Sequence, residues 1–471
     1  MNAKIVRNLS FNTLQLIVNQ AAGLGIFYVL STGINKNSFG LINLALAVLM
    51  AVFNILSMGI DQLAIKKIAS GVNVTSVLSI YIWHVLVSGL GFYGLLLTGY
   101  YLLPHAGILF GLLLLIGAGK LMIFFSSPFK QAATGLEQFR LLAYMSVISN
   151  IIRCAALIVL MLTRDLNLQN IIIVFVSGDV AELLLTIWLF RRFTNLPLNI
   201  KWNSANYKAL LFESLPQTGV VLITSALARF DWIFIGFMVS AIKLAEYSFA
   251  YKIFEMSTLP LLAIAPVLIP LFTRLFKQTE VPLAGLKSLV RFEMIIAAFT
   301  GLVLNIYWAP VIDGVTSGKY GAVNVKTIFI LTLCAPFIYL NNFLWTIFFA
   351  QGRLKMILSS FVLTFTVNVA GDVLLIPIFK NEGAAFAFLA ACMVQSIFYL
   401  KKNTISQLSP VWQPLLVCTL SALLCGMAAK TLIPQTWLLL PFALLSYLLL
   451  LLALKQIKIS DGALLKKFLM R

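Results

Sequence analysis

Charge is what this 471-residue sequence has least of. Only 10% of its residues are Asp, Glu, Lys or Arg, against about 25% in soluble domains. That composition excludes a solvated enzyme or binding module of this length. Histidine is nearly missing: His84 and His105 stand far apart in the chain and make no metal centre, so each is read as satisfied or exposed. The five cysteines, Cys154, Cys334, Cys392, Cys418 and Cys425, fall inside apolar runs without paired spacing. They fit neither a disulfide framework nor a thiolate metal site. The longest connector, Arg191 to Phe212, contains no Asp or Glu, which removes the catalytic carboxylate that an extramembrane glycosyltransferase or polymerase would need. The chain is therefore expected not to be an enzyme and to need no cofactor.

What fills the sequence is hydrocarbon. Hydrophobic residues make up 61%, the mean hydropathy is +1.00, and apolar runs of about 20 residues recur from end to end, each long enough to cross a bilayer as a helix. The expected fold is an all-α integral membrane protein of about fourteen transmembrane helices, running from about residues 10–31 to about residues 436–454. The first run follows Lys4 and Arg7 without a small-residue cleavage signal, so it is read as a permanent helix.

The net charge of +19 fits topology better than nucleic acid, because the cations sit in short connectors and not in a basic domain with interleaved aromatics. Lys66 and Lys67, Arg191 and Arg192, Lys401 and Lys402, and both chain ends fall on one side of the expected spans. That side outweighs the other by roughly three to one in Lys and Arg, which places both termini in the cytoplasm. Trp83, Trp188, Trp202, Trp308, Trp412 and Trp437 lie near span ends, where an interfacial belt is expected.

Two stretches suggest an internal repeat. "AATGLEQFRLLAYMSVISN", from Ala132 to Asn150, and "FAQGRLKMILSSFVLTFTVN", from Phe349 to Asn368, each carry a glycine, a following cation and a closing asparagine. "SFGLINLALAVL" and "EYSFAYKIFEMS" repeat the relation at a similar offset. The expected domains are residues 1–212 and 213–405, two six-helix bundles as parallel repeats around a central cavity, with 406–471 as two added helices and a cytoplasmic tail. Such halves suit alternating access.

Ionisable side chains inside spans are costly, and they are the first candidates for function. The cations are Lys120, Arg153, Arg229 and Lys252; the acids are Asp179, Glu182, Asp231, Glu255 and Asp372. Asp179 and Glu182 share a helix face, as do Lys252 and Glu255. Both readings stay open for each. Asp179 and Glu182 either pair with Lys120 or Arg153 as structural glue or hold Na⁺ or a proton. In "LARFDWIFIGFMVSAIK" Arg229 and Asp231 point about 200° apart around the helix, so they need separate partners. Arg229 can pair with Glu213 or Glu255 and Asp231 with Lys252, or Arg229 can offer its planar fork to a phosphate in a wet cavity. "GAGK", ending at Lys120, lacks the spacing and the Ser or Thr of a phosphate loop.

The run from "ARFDWIFIG" through "EYSFAYKIFEMSTLPLLAIAPVLIPLFTRLFK", with "ATGLEQFR" and "IPIFKNEGAAFAFLAA", resembles the Wzx-like polysaccharide and O-antigen flippases of the multidrug/oligosaccharidyl-lipid/polysaccharide exporter superfamily. The resemblance covers essentially the whole chain. It implies a V-shaped pair of helical bundles in the bacterial inner membrane. It also implies transfer of an undecaprenyl-pyrophosphate-linked oligosaccharide between leaflets without ATP hydrolysis, for lipopolysaccharide or related surface polysaccharide. The expected partners are that lipid-linked oligosaccharide, membrane lipids, and a polysaccharide polymerase and glycosyltransferases, with no nucleic acid. On this resemblance Lys120, Arg153, Arg229 and Lys252 meet the pyrophosphate or sugar acids, and Asp179, Glu182 and Asp231 couple transport to H⁺ or Na⁺. About twelve spans are usual in that family and fourteen in lipid II flippases, so a lipid II flippase is one alternative, and a cation-coupled multidrug antiporter is another.

Overall fold

In lipid a backbone can satisfy its own N–H and C=O groups only as a helix or a closed barrel, and this chain takes the first course. The computed structural model describes residues 3–102, 107–194, 196, 202–261, 268, 272, 283–402, 411–433 and 436–458, with no strand among them. The helices are α1 (Ala3–Gly33), α2 (Lys36–Ser57), α3 (Ile60–Ala69), α4 (Val74–Leu102), α5 (Ile108–Gly135), α6 (Phe139–Leu162), α7 (Leu168–Thr194) and α8 (Ser204–Met238). There follow α9 (Ala241–Ser257), α10 (Leu283–Thr316), α11 (Val325–Ala350), α12 (Leu354–Lys402), α13 (Trp412–Leu432) and α14 (Thr436–Ala453).

Ten helices among the described residues are long and apolar enough to span a bilayer, where about fourteen were expected. Part of the difference is a merger: α12 holds two expected spans and reverses at Lys380, whose φ of 53° and ψ of −123° are not helical. The reversal is tight. A Cβ at Gly371 would stand 2.7 Å from that of Ala387, and one at Gly383 would collide with the Leu375 carbonyl. The last apolar helix is short, Leu438–Ala453, and of an apolar run expected to span at about residues 247–272 only Leu268 and Phe272 are described beyond Leu261.

Two compact units divide the chain, Met1–Gly236 and Phe237–Arg471. In the first, α5 lies against α2, α3, α4 and α7, and α1 against α6. In the second, α11 is flanked by α10 and α12, and α10 also meets α13 and α14. Phe249 stacks on Tyr320 at 4.4 Å, and Trp308 donates its indole N–H to the Gly321 carbonyl at 2.9 Å. Large apolar side chains such as Leu95 and Tyr101 lie 73% and 80% exposed, which is tolerable where the surroundings are lipid rather than water.

The suspected repeat has a local counterpart in two matching helix ends. After α5, Gln138 N–H bonds the Ala133 carbonyl at 2.9 Å and Glu137 N–H bonds Thr134 at 3.0 Å; after α11, Arg353 bonds Phe348 at 2.9 Å and Gly352 bonds Phe349 at 3.0 Å. Both turns pass through a left-handed residue, Glu137 (φ 58°) and Gly352 (φ 71°), as a Schellman cap requires. Gly352 therefore corresponds to Glu137, two positions beyond the Gly135 expected from sequence. Gly135 has a different task, since a Cβ there would press on Ile68 of α3.

Candidate functional site

Three helices of the first unit carry a connected cluster of charge. Lys120 of α5 reaches Asp179 of α7 at 3.0 Å, and Arg153 of α6 approaches the same carboxylate at 2.7 Å. The same guanidinium nitrogen bonds Glu182, one turn along α7. Lys130, about ten residues beyond Lys120 on α5, closes the chain on Glu182, which also accepts from Ser149 at 2.5 Å. Asp179, Glu182 and Arg153 are buried at 0%, 5% and 6% exposure, so the pairs lie in a medium where partnered charge is tolerated and lone charge is not.

Local sequence makes the cluster possible. Asp179 and Glu182 share a face of α7 through their spacing of three. Gly119 lets the Asp179 carboxylate approach α5, where an added Cβ would stand 2.6 Å from Oδ2. Gly178 leaves room for Arg153 in the same way, with 2.6 Å from an added Cβ to Nε. The glycine of "GAGK" thus admits a carboxylate rather than a phosphate. Arg153 is braced by Asn150, which accepts from Nη1 at 3.0 Å and donates to Asn19 of α1 at 2.9 Å.

Lys120, Lys130 and Arg153 face only two acids in this chain of contacts, leaving one positive charge in excess. Lys120 is the partly open end. Its side chain is 25% exposed, sits 5.9 Å from the Phe175 ring and lines a cavity of about 320 Å³ with Asn54, Ser57, Asp61 and Ser127. Asp61 is placed there by two consecutive left-handed residues, Met58 (φ 49°) and Gly59 (φ 68°), which end α2 and start α3. Tyr81 donates a hydrogen bond to it. Burial pushes its carboxyl up from 3.8 to about 6, overriding the opposing hydrogen bond of Ser57.

The expected partners of Lys120 and Arg153 are thus found, with Asp179 rather than Glu182 taking Lys120. The expected pairing of Glu213 with Arg229 does not form. Glu213 bonds Lys67, because it lies sixteen residues before Arg229 on α8, about 24 Å along the axis. Arg229 lays its guanidinium 4.3 Å over the Trp232 ring. Asp231, 5% exposed, accepts from the Trp232 backbone N–H at 2.9 Å. Lys252 takes Glu255 on the next turn of α9 at 2.7 Å, as their shared face suggested. Asp372 accepts from Asn368 at 3.0 Å. His84 is satisfied, with Nε2 2.7 Å from the Leu56 carbonyl and Nδ1 3.2 Å from the Tyr207 hydroxyl; His105 lies outside the described residues. Lys130 and Asp61 were missed because both sit at the margins of apolar runs, where they read as loop charges.

Membrane-spanning helices with a buried charge network beside a cavity are an arrangement that suits a transporter. Sequence comparison narrows it: residues 5–276 match the polysaccharide biosynthesis protein family, and the chain belongs to that family, within the multidrug/oligosaccharidyl-lipid/polysaccharide superfamily. No protein with a curated description matches it in sequence. Among solved structures it is similar to the lipid II flippase MurJ in an inward closed conformation, with a TM-score of 0.74, 14% identity, and coverage of 93% of this chain and 97% of that one. It is also similar to a multidrug resistance MATE family transporter in an inward-facing conformation, with a TM-score of 0.63, 12% identity, and 90% and 99% coverage. A third is a superfamily transporter from Pyrococcus furiosus described as having a binding pocket of reversed polarity, with a TM-score of 0.55, 11% identity, and 91% and 96% coverage. At these identities the likeness is one of fold.

Proposed function

We propose that this protein is a flippase that carries a polyprenyl-pyrophosphate-linked oligosaccharide across a bacterial inner membrane by alternating access, supplying surface polysaccharide synthesis. The observation that carries the reading is the charge cluster of the first unit, with its excess cation and its open end at Lys120 on a cavity of mixed lining, where Asn54, Ser57, Asp61 and Ser127 stand among apolar side chains. A headgroup with two phosphates and several sugars cannot enter hydrocarbon without partners for its charge and hydroxyls. Lys120 offers an ammonium to a phosphate or sugar acid, held ready by Asp179 and backed by Arg153. Arg229 and Lys252 are the further cations proposed to meet anionic groups during passage. Membership of the polysaccharide biosynthesis family supports the substrate class. Both termini are proposed to be cytoplasmic, and a polymerase and glycosyltransferases are the proposed neighbours in the pathway.

An H⁺ or Na⁺ gradient is the proposed driving force. Asp179 and Glu182 are already neutralised by two cations each, so an added cation would have to displace a Lys or Arg; Asp231 is the remaining proposed coupling carboxylate.

The likeness to MurJ favours a second reading, a lipid II flippase. Genetic replacement separates the two. Restoration of surface polysaccharide to cells lacking their oligosaccharide flippase, with loss of restoration in Lys120→Ala, supports the first reading. Rescue of cells depleted of their lipid II flippase supports the second, and resistance to cationic drugs without either would point to an antiporter.

A further inference from the structure

The second unit contains an acid unlike any in the cluster. Glu293, in the third turn of α10, is 0% exposed, and neither of its carboxylate oxygens has a hydrogen-bond partner. No ion pair among the described residues includes it. On its own helix Leu286, Leu289, Val290 and Ala297, one or two turns away, are buried and apolar, and Thr300 two turns on donates its hydroxyl to the Ala297 carbonyl.

Among the described residues none supplies it a counter-ion. From α11 the facing titratable group is Tyr339, whose hydroxyl donates elsewhere, to the Ser257 carbonyl at 3.2 Å. Cys418 of α13 lies near Arg291, and Arg291 donates to Ser288 at 3.2 Å. Tyr447 of α14 directs its hydroxyl at the Ile295 carbonyl. The cations of α9, Lys243 and Lys252, have Glu246 and Glu255 as partners.

A carboxylate in this position would be a lone charge in a dry, apolar interior, and such a group takes a proton instead of remaining charged. The neutral acid forgoes only a hydrogen bond. We propose that Glu293 is a proton-binding site, loaded while it is buried as seen here and unloaded when water reaches α10. On opening, the O–H bond breaks, the proton passes to water as hydronium, and the carboxylate stays behind, solvated; on closing, the proton must return from water before the site dries. One proton is thereby tied to each opening of this helix. The site needs no particular cargo, so it stands or falls separately from the oligosaccharide reading.

Two measurements on the full-length reconstituted protein test it. In infrared spectra, wild type minus Glu293→Gln at neutral pH should show one protonated-carboxyl C=O stretch; its absence would overturn the proposal. In hydrogen–deuterium exchange, with the intrinsic base-catalysed rate divided out, exchange of the α10 backbone should speed up by about tenfold per pH unit above the ordinary glutamate range, because one proton is released on opening. Glu293→Gln should be flat. A flat wild-type profile, or an equal slope in the variant, would mean that the acid is merely structural and would equally overturn the site. The substitution preserves size and replaces the titratable O–H with a non-titrating amide, and the wild-type profile is informative even if the variant fails to fold.

Discussion

The guanidinium of Arg153 lies 2.7 Å from the Asp179 carboxylate and holds Glu182 through the same nitrogen. It is the joint between the two halves of the cluster. Removing one partner of a buried ion network leaves uncompensated charge, which costs about 3–5 kcal/mol. Arg153→Ala should therefore lower the thermal unfolding midpoint in detergent by many degrees. Arg153→Lys should fall between it and wild type, because an ammonium cannot match the planar fork. An unchanged midpoint for Arg153→Ala would show that the lysines alone suffice.

Gly119 and Gly178 provide the space for that joint. In Gly119→Ala the new methyl meets Asp179 Oδ2 at 2.6 Å, and in Gly178→Ala it meets Arg153 Nε at 2.6 Å. Each should destabilise by about 1–3 kcal/mol, the usual range for overpacking, despite the better helix propensity of alanine. Gly91→Ala on α4, where nothing lies within 4 Å, is the control and should be neutral or slightly stabilising. Thermal unfolding of the three variants side by side checks the ordering.

Part of this architecture was legible in the residues and part was not. Asp179 and Glu182 announced themselves, because two acids three apart in an apolar run must share a face and find cations. The partnering of Lys120 and Arg153 followed from the same requirement. Lys130 lies beyond the apolar run that ends at about residue 127, whereas α5 continues to Gly135, so its burial is visible only in the structure. Asp61 was hidden by the corner at Met58 and Gly59, whose left-handed backbone carries no strong signature at methionine. Glu293 stood too near Arg291 in sequence to look buried, and only the packing of α11, α13 and α14 on α10 shows its isolation. The pairing of Lys67 with Glu213 depends on how α3 and α8 approach, which no periodicity encodes.

Asp61 gives the fold of the first unit a pH dependence of known sign. Its carboxyl rises from 3.8 to about 6 through burial, so the neutral form is the one the fold prefers. The stability this contributes is fully present below pH 3.8 and is lost as pH rises through about 6. Asp61→Asn should match wild type at acid pH and become more stable than it above neutrality, by up to about 3 kcal/mol at one pKa unit per 1.36 kcal/mol. Midpoints recorded from acid to mildly alkaline pH should diverge; parallel curves would mean that Tyr81 and water keep the carboxylate solvated.

Lys120 is the member of the cluster that meets the cavity, so its loss should affect transport more than stability. Lys120→Ala leaves Asp179 paired with Arg153, and a drop of about 1–2 kcal/mol is expected, smaller than for Arg153→Ala because the lysine is part exposed. Thermal unfolding and membrane insertion of this variant should remain close enough to wild type for transport to be compared directly.

Translocation itself is the decisive measurement. Proteoliposomes holding the wild-type protein and a fluorescent polyprenyl-pyrophosphate-linked oligosaccharide should move the labelled headgroup between leaflets, read as its loss from or gain in access to an external quencher. Wild-type protein moving the headgroup and Lys120→Ala failing to do so, with both correctly folded, is the predicted result. Equal rates in the two, or no movement by the wild type under any imposed ion gradient, would contradict it.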